Sequence, residues 1–256
     1  MTSDLLAIET RDVHKAFGPH QVLGGCDLKI PEGTMAVVLG PSGTGKSVLL
    51  KHITGVMKPD TGDVFVRGRR LAALTRSEVL GLRRDVGVMF QDGALFSSMT
   101  VFENVAFPLR QHTDLVDEEV REIVMDELRA VGLEKAGDQY PATLSGGMRK
   151  RAGLARALVL QPRILLCDEP DSGLDPVRTA LLGELLADRH CDLGGTIITV
   201  THNIELARIV GEHVSVLYEG RVRESGPGER LWASDDPFVQ QFLAGAPEGP
   251  LGMDIA

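Results

Sequence analysis

Cysteine is scarce in this chain of 256 residues. Cys26, Cys167 and Cys191 are too few and too scattered for a disulfide framework or a zinc site. The seven histidines are dispersed as well, without ligand spacing, which sets metal-cluster chemistry aside. No apolar stretch approaches the ~18–20 residues that span a bilayer. Basic charge is in deficit, with 27 Lys and Arg against 36 Asp and Glu for a net −9. Without clustered cations a nucleic-acid partner is excluded, because phosphate neutralisation needs them. Met1–Thr10 carries Asp4 and Glu9 and no basic region, so it does not read as a secretory signal. The expectation is a chain that stays in the cytosol unless something else carries it. No internal repeat is visible.

What is present is ordinary globular material, 43% hydrophobic and 25% charged, enough for one large domain or two small ones. Apolar runs at Met35–Leu39, Val86–Phe90, Ile164–Cys167, Thr196–Val200 and Val214–Leu217 predict buried strands. Val116, Val120, Ile123, Val124, Leu128 and Val131 recur at helical spacing in an acidic segment, which predicts an amphipathic helix. Asp175-Pro176 signals another helix start, running to Ala187. Strands alternating with helices imply a mostly parallel sheet covered on both faces. Residues 7–30 and 63–70 break the rhythm and read as antiparallel strands, with turns at Gly18-Pro19 and Gly24-Gly25. Residues 93–160 read as helical. The expected architecture is an α/β core carrying a small β subdomain and an inserted helical subdomain. Cys167, ending its apolar run, reads as a small buried hydrophobe.

Gly40-Pro41-Ser42-Gly43-Thr44-Gly45-Lys46-Ser47 has two glycines five apart followed by Lys and Ser, after a strand and before a helix that opens with Val48. In that context backbone N–H groups curl around phosphates and the helix N-terminus adds its dipole. Lys46 brings a cation to the phosphates, and Ser47 offers a hydroxyl to Mg²⁺. The sequence therefore carries a nucleotide site. Ile164–Cys167 ends in Asp168-Glu169, where Asp168 can hold Mg²⁺ opposite Ser47 and Glu169 can polarise an attacking water. Leu144-Ser145-Gly146-Gly147-Met148, before a basic helical stretch, is a second place where N–H groups and a hydroxyl meet a phosphate. One nucleotide does not need two such loops.

With these motifs the sequence resembles the ATP-binding-cassette (ABC) ATPases, over roughly residues 7–243. The resemblance implies a P-loop NTPase, RecA-like core, with ATP and Mg²⁺ as cofactors. It also implies a head-to-tail dimer, in which Ser145, Gly146 and Gly147 of one copy close over ATP held by residues 40–48 of the other. Phe17 matches the aromatic that stacks on adenine, although by itself a Phe here is as readily core, and Val22 matches the apolar contact after it. Gln91 matches the glutamine that touches Mg²⁺ and water and couples to the membrane partner. Asp175, in Ser172-Gly173-Leu174-Asp175, matches the loop facing the second subunit, and His202 the histidine that senses the γ-phosphate. Catalysis then falls to Glu169, His202, Gln91 and Lys46, the metal to Ser47, Gln91 and Asp168. Two positions depart from the pattern: Phe17, where Tyr is commoner, and Met148, where Gln is usual.

Ser47 to Leu144 is 144 − 47 = 97 positions, which leaves no room for the coiled-coil insertion of DNA-repair relatives. Neither a second cassette nor a fused membrane domain is expected. A separate transporter ATPase remains, peripheral on the cytoplasmic face of a bacterial inner membrane and attached only through permease subunits. Three phenylalanines, Phe96, Phe102 and Phe107, divide between helical core and a groove that receives a permease helix. The wording of residues 95–105, of Leu144–Arg151, of Asp168–Arg178 and of Pro237–Leu243 is similar to the ATPases of Mla- and Mce-type lipid transporters, most closely the Mce-associated branch, whose partners include Mce-domain proteins. Two further readings stand beside it: the ATPase of a polar amino-acid or other small-solute importer, and a soluble regulatory ABC ATPase. Residues 1–244 are expected to form the nucleotide-binding domain, with its helical subdomain at about 93–160. The tail, 245–256, is either a frayed end or a clasp on the second copy through Leu251, Met253 and Ile255.

Overall fold

A computed structural model describes residues 5–251. In chain order they form β1 (Leu6–Phe17), β2 (His20–Pro31), β3 (Met35–Leu39), α1 (Lys46–Ile53), β4 (Thr61–Val66), β5 (Arg69–Arg70), α2 (Arg76–Arg84), β6 (Val86–Met89), α3 (Val101–His112), α4 (Asp117–Ala130) and α5 (Gly146–Leu158). The chain continues through β7 (Ile164–Asp168), α6 (Pro176–Leu193), β8 (Thr196–Thr201), α7 (Ile204–Val210), β9 (His213–Tyr218), β10 (Arg221–Pro227), α8 (Gly228–Trp232) and α9 (Pro237–Ala244).

Six strands form the central sheet in the order β10-β9-β3-β8-β7-β6, parallel except for β10, which pairs antiparallel with β9 at the edge. β3 is the middle of this sheet and all five of its residues are buried. A strand covered on both faces has no polar side to alternate with, so its sequence is a continuous apolar run. Period-two alternation still sorts its side chains. Met35, Val37 and Leu39 join a core with α3–α7 and α9, while Ala36 and Val38 join a second core with Leu49, Leu50 and Ile53 of α1. That second core also takes Ile8, Leu23, Leu28 and Ile30, so the antiparallel sheet β2-β1-β4-β5 packs on the α1 side.

Gly18-Pro19 is the turn between β1 and β2, where Phe17 faces His20. Gly24-Gly25 is not a turn. β2 runs straight through it, and the β1 register shifts around Val13, opposite Cys26. Gly25 sits at φ +93°, the left-handed region that relieves such a bulge at no side-chain cost. The acidic amphipathic helix is α4, whose Val120, Val124 and Leu128 are buried. Val116 instead lies just outside it, exposed at the N-cap, and Val131 is buried just past its end. α6 overruns the expected stop at Ala187 by six residues to Leu193, capped at its start by Asp175, whose carboxylate accepts the Arg178 N–H at 2.9 Å.

As far as Leu251 the tail, expected either to fray or to clasp a second copy, folds back on its own chain. The buried Gln241 side chain accepts from the Leu251 N–H at 2.6 Å and donates to the Ala246 and Leu251 carbonyls, each at 3.1 Å. Leu251 thereby packs on its own core. Met253 and Ile255 lie outside the described residues. Among the described residues no helix is long and apolar enough to cross a membrane.

Candidate functional site

β3 delivers the chain to residues 40–45, and α1 begins at Lys46 without any side-chain cap. Gly45, at φ +96°, is required twice over. Its backbone is left-handed, and a Cβ there would lie 2.9 Å from the Val22 carbonyl oxygen. Val22 of β2 therefore abuts the loop. Lys46 is buried and folds back on the loop, donating to the Gly40 carbonyl at 2.9 Å and the Pro41 carbonyl at 2.7 Å. Burial pushes its ammonium pKa down, opposed by the Glu169 and Asp168 carboxylates.

Ser47 Oγ donates to Asp168 Oδ1 at 2.9 Å, across 121 positions of sequence. Burial raises the Asp168 carboxyl pKa, and the serine hydrogen bond offsets part of that rise. A hydroxyl and a half-buried carboxylate side by side form a hard-oxygen pair, the donor chemistry that suits Mg²⁺. Next along, Glu169 Oε1 lies 3.9 Å from Lys46 Nζ and 3.5 Å from His202 Nδ1. Lys46, Ser47, Asp168, Glu169 and His202 thus converge at the C-terminal ends of β3, β7 and β8. Glu169 holds φ +45°, unusual for a residue with a side chain, and its N–H is tied to the Val200 carbonyl at 2.8 Å.

The remaining predicted residues are not in that cluster. Gln91 follows β6 at the same end of the sheet but is exposed, and its side chain hydrogen-bonds none of the five. Phe17 ends β1 half exposed, with Lys15 Nζ 5.5 Å from its ring centroid. Ser145 caps α5, accepting the Met148 N–H at 3.3 Å, and Gly146 and Gly147 form its first turn. Among the described residues no hydrogen bond or ion pair joins Ser145–Gly147 to residues 40–47. Instead Ser145, Gly147 and Met148 line a separate cavity of about 520 Å³ with Leu174 and Leu181. Asp175 is exposed beside it and pairs with Arg178 at 3.2 Å.

The family model described as ABC transporter matches residues 23–172, which is more than half of the chain. This chain belongs to the ABC transporter ATPases. It is the ATP-binding, ATP-hydrolysing subunit of such a transporter, and relatives agree along nearly its whole length. The probable ribonucleotide transport ATP-binding protein mkl of Mycobacterium leprae is 48% identical over 97% of this chain and 72% of its own. The intermembrane phospholipid transport system ATP-binding protein MlaF of Escherichia coli K12 is 38% identical over 95% of this chain and 91% of its own. The ATP-binding cassette MJ0796, solved as a dimer in a post-hydrolysis state with ADP and Pi, matches with a TM-score of 0.79 at 32% identity, over 86% of this chain and 98% of that one.

The ABC ATPase also holds residues that motif reading passed over. Lys150 and Arg156 belong to the stretch read only as basic and helical, yet both turn inward. Arg156 donates to the Gly93 carbonyl at 2.9 Å and to Asn104 Oδ1 at 3.3 Å, fixing the loop after Gln91. Its guanidinium lies 5.4 Å from the Phe96 ring centroid. Phe96 and Phe107, 5.0 Å apart, line a groove of about 370 Å³ with Phe90 and Pro108, whereas Phe102 packs on the helical core. The one available signal was that a cation within a helix's apolar face must find acceptors.

Proposed function

We propose that two copies of this chain sandwich two ATP head-to-tail and drive a membrane permease of a Mce/Mla-type lipid transport system. The observation that carries the dimer is the separation just described. Lys46, Ser47, Asp168, Glu169 and His202 cluster on one surface, while Ser145–Gly147 stand uncommitted on another and find a phosphate only on a second copy. The dimeric form of MJ0796 supports the same reading. Residues 1–244 are assigned to the nucleotide-binding domain, with its helical subdomain at about 93–160.

In the proposed site Phe17 and Val22 hold adenine and residues 40–48 wrap the phosphates. Lys46 releases the Gly40 and Pro41 carbonyls and turns its ammonium to the β- and γ-phosphate oxygens. Ser47, Asp168 and Gln91 hold Mg²⁺, which when bound offsets charge on those oxygens. Glu169 takes a proton from water as that water attacks the γ-phosphorus in line, and ADP leaves with the bridging oxygen. His202 and Lys46 stabilise the charge that develops on the transferred phosphoryl group, and Ser145–Gly147 and Asp175 of the second copy complete the pocket. Closure moves permease helices through the Phe96–Phe107 groove. Glu169→Gln is expected to lower turnover by at least about a hundredfold while ATP binding and the ATP-bound dimer persist. Undiminished hydrolysis rules Glu169 out as the base.

The lipid assignment rests on MlaF, whose name specifies intermembrane phospholipid transport and which matches nearly end to end. The mkl name, ribonucleotide transport, favours a second reading, a small-solute system. Mild-detergent purification from native membranes with mass spectrometry of the bound proteins separates them. A multi-span permease with Mce-domain proteins supports lipid transport and a peripheral place on the cytoplasmic face. A permease with a solute-binding protein moves the cargo to small solutes, and no membrane protein at all favours a soluble regulatory ATPase.

A further inference from the structure

Lys150 lies on α5, one turn beyond the Ser145–Gly147 loop, and is buried. An ammonium has three protons, and all three are committed. They go to the Pro170 carbonyl at 2.8 Å, the Ser172 carbonyl at 2.5 Å and Ser172 Oγ at 2.9 Å. All three acceptors are neutral. Burial lowers the ammonium pKa, and the carboxylates of Asp171, Asp92 and Glu169 oppose this through space rather than by contact. A cation placed so must be held by the geometry of its acceptors, and equally it fixes theirs.

Those acceptors lie just beyond a strained point. Glu169 holds a left-handed backbone, φ +45°, that strains a residue with a side chain and persists only where the surroundings over-determine it. Its N–H is tied to Val200 on one side. On the other, a turn closes from the Ser172 N–H to the Glu169 carbonyl at 3.1 Å, and the two residues Lys150 grips, Pro170 and Ser172, are inside that turn. Asp171 between them is buried and accepts from Thr201 Oγ1 at 2.8 Å, so the loop is pinned to β8 as well.

We propose that Lys150 is a positioning residue that ties each subunit's Ser145–Gly147 helix to that subunit's own Glu169, so that occupation of one ATP site sets the base of the other. The proposal rests on the head-to-tail dimer proposed above. In that dimer Ser145–Gly147 touch the ATP of the partner, whereas Glu169 acts on the ATP held by its own chain. A movement of α5 when its loop meets phosphate is passed by three hydrogen bonds to residues 170–172 and from there to the adjoining Glu169.

The test uses the complete transporter and two variants. Lys150→Met removes all three bonds and the charge. Ser172→Ala removes one acceptor at a half-buried position, and it keeps the test informative where Lys150→Met fails to fold. Lys150→Met is expected to lower kcat at least about tenfold with KM for ATP within about twofold, and to lower the Hill coefficient for ATP toward 1. Ser172→Ala is expected to shift both in the same direction by less. Mixed dimers with Glu169→Gln on one chain then locate the effect. Only the unmutated chain's base works there, so Lys150→Met on that same chain must lower the residual turnover by the same factor, and on the Glu169→Gln chain must largely spare it. The reverse pattern means that the lysine acts through the loop it presents to the partner's ATP, and it overturns the proposal. So do wild-type kcat and Hill coefficient in both variants. Full hydrolysis by the Glu169→Gln homodimer is a different failure, because it removes the assignment of the base and leaves the lysine without a target.

Discussion

Replacing Arg189 by Met breaks the most enclosed ion pair between α4 and α6. One Arg189 nitrogen reaches both carboxylate oxygens of Glu127, at 3.0 and 2.8 Å, and the two side chains are only 12% and 10% exposed. Even with its partner in place the Glu127 carboxyl pKa is pushed up by burial. Without the guanidinium the charge is unsupported, and the carboxyl takes a proton in the folded state. The cost of doing so sets a ceiling on the damage. From an ordinary value of 4.5, protonation at about pH 7.5 costs about 4 kcal/mol, and at about pH 5.5 about 1.4 kcal/mol, at about 1.36 kcal/mol per unit. The unfolded carboxyl ionises above its ordinary value while the folded mutant keeps its proton, so the mutant loses stability as pH rises through this window. The first figure falls within the range of about 3–5 kcal/mol for orphaning one member of a buried pair. Urea unfolding of wild type and mutant at both pH values, followed by circular dichroism, measures it. The double variant Glu127→Leu/Arg189→Met, which leaves no charge to desolvate, is expected to regain most of the loss. A mutant penalty below about 1 kcal/mol at the higher pH refutes the reasoning, as does one that is equal at both pH values or a double variant that costs the sum of its parts.

Two further outcomes follow from the same geometry. Ser47→Ala leaves Asp168 without its hydrogen-bonded hydroxyl, and the Mg²⁺ concentration for half-maximal hydrolysis is expected to rise about tenfold, or about 1.4 kcal/mol. ATP binding measured without Mg²⁺ should change little, and an equal loss in both assays speaks against a metal role. Cys26 and Cys167 are buried with thiol pKa values pushed up to about 12 from 9.0. The folded state keeps those protons where the unfolded state loses them, so each thiol withdraws about 1.4 kcal/mol of stability per pH unit between about 9 and 12. Cys167→Val should flatten that alkaline decline, and unchanged slopes in denaturant titrations exclude it. The exposed Cys191 is the thiol expected to react with a disulfide reagent in the folded protein.

Much of the core was legible because its residues answer to local rules. β3 is an apolar run since both its faces are covered, and α6 starts where Asp175-Pro176 says a helix starts. The places where local rules failed are those where a distant partner decides. Gly24-Gly25 reads as a turn, but nine residues of β1 pair along β2 to either side of it and turn it into a bulge. The end of α6 looks polar from Asp188 onward, and only Glu127, 62 positions away, makes Arg189 an inward-facing residue. Lys150 was hidden in a run of three cations, of which it alone is fully buried. Two of its three acceptors are backbone carbonyls 20 and 22 positions on, and a carbonyl leaves no mark in a sequence.

The candidate site itself was legible for a related reason, since the parallel register does the assembly once the strands are known. Leu39 pairs with Thr201, Asp168 with Val200 and Met89 with Cys167. The residues that follow each strand therefore emerge along one edge: the glycine loop after β3, Glu169 after β7, His202 after β8 and Gln91 beyond β6. This is the carboxyl edge at which open α/β sheets gather their ligands. Period-two geometry makes the arrangement unforgiving, because sliding β7 by one residue would turn Asp168 away from Ser47. A chain that gathers five reactive side chains at one edge and leaves Ser145–Gly147 unjoined to them divides its candidate phosphate contacts between two faces. In the proposed head-to-tail dimer each face meets the other on a second copy.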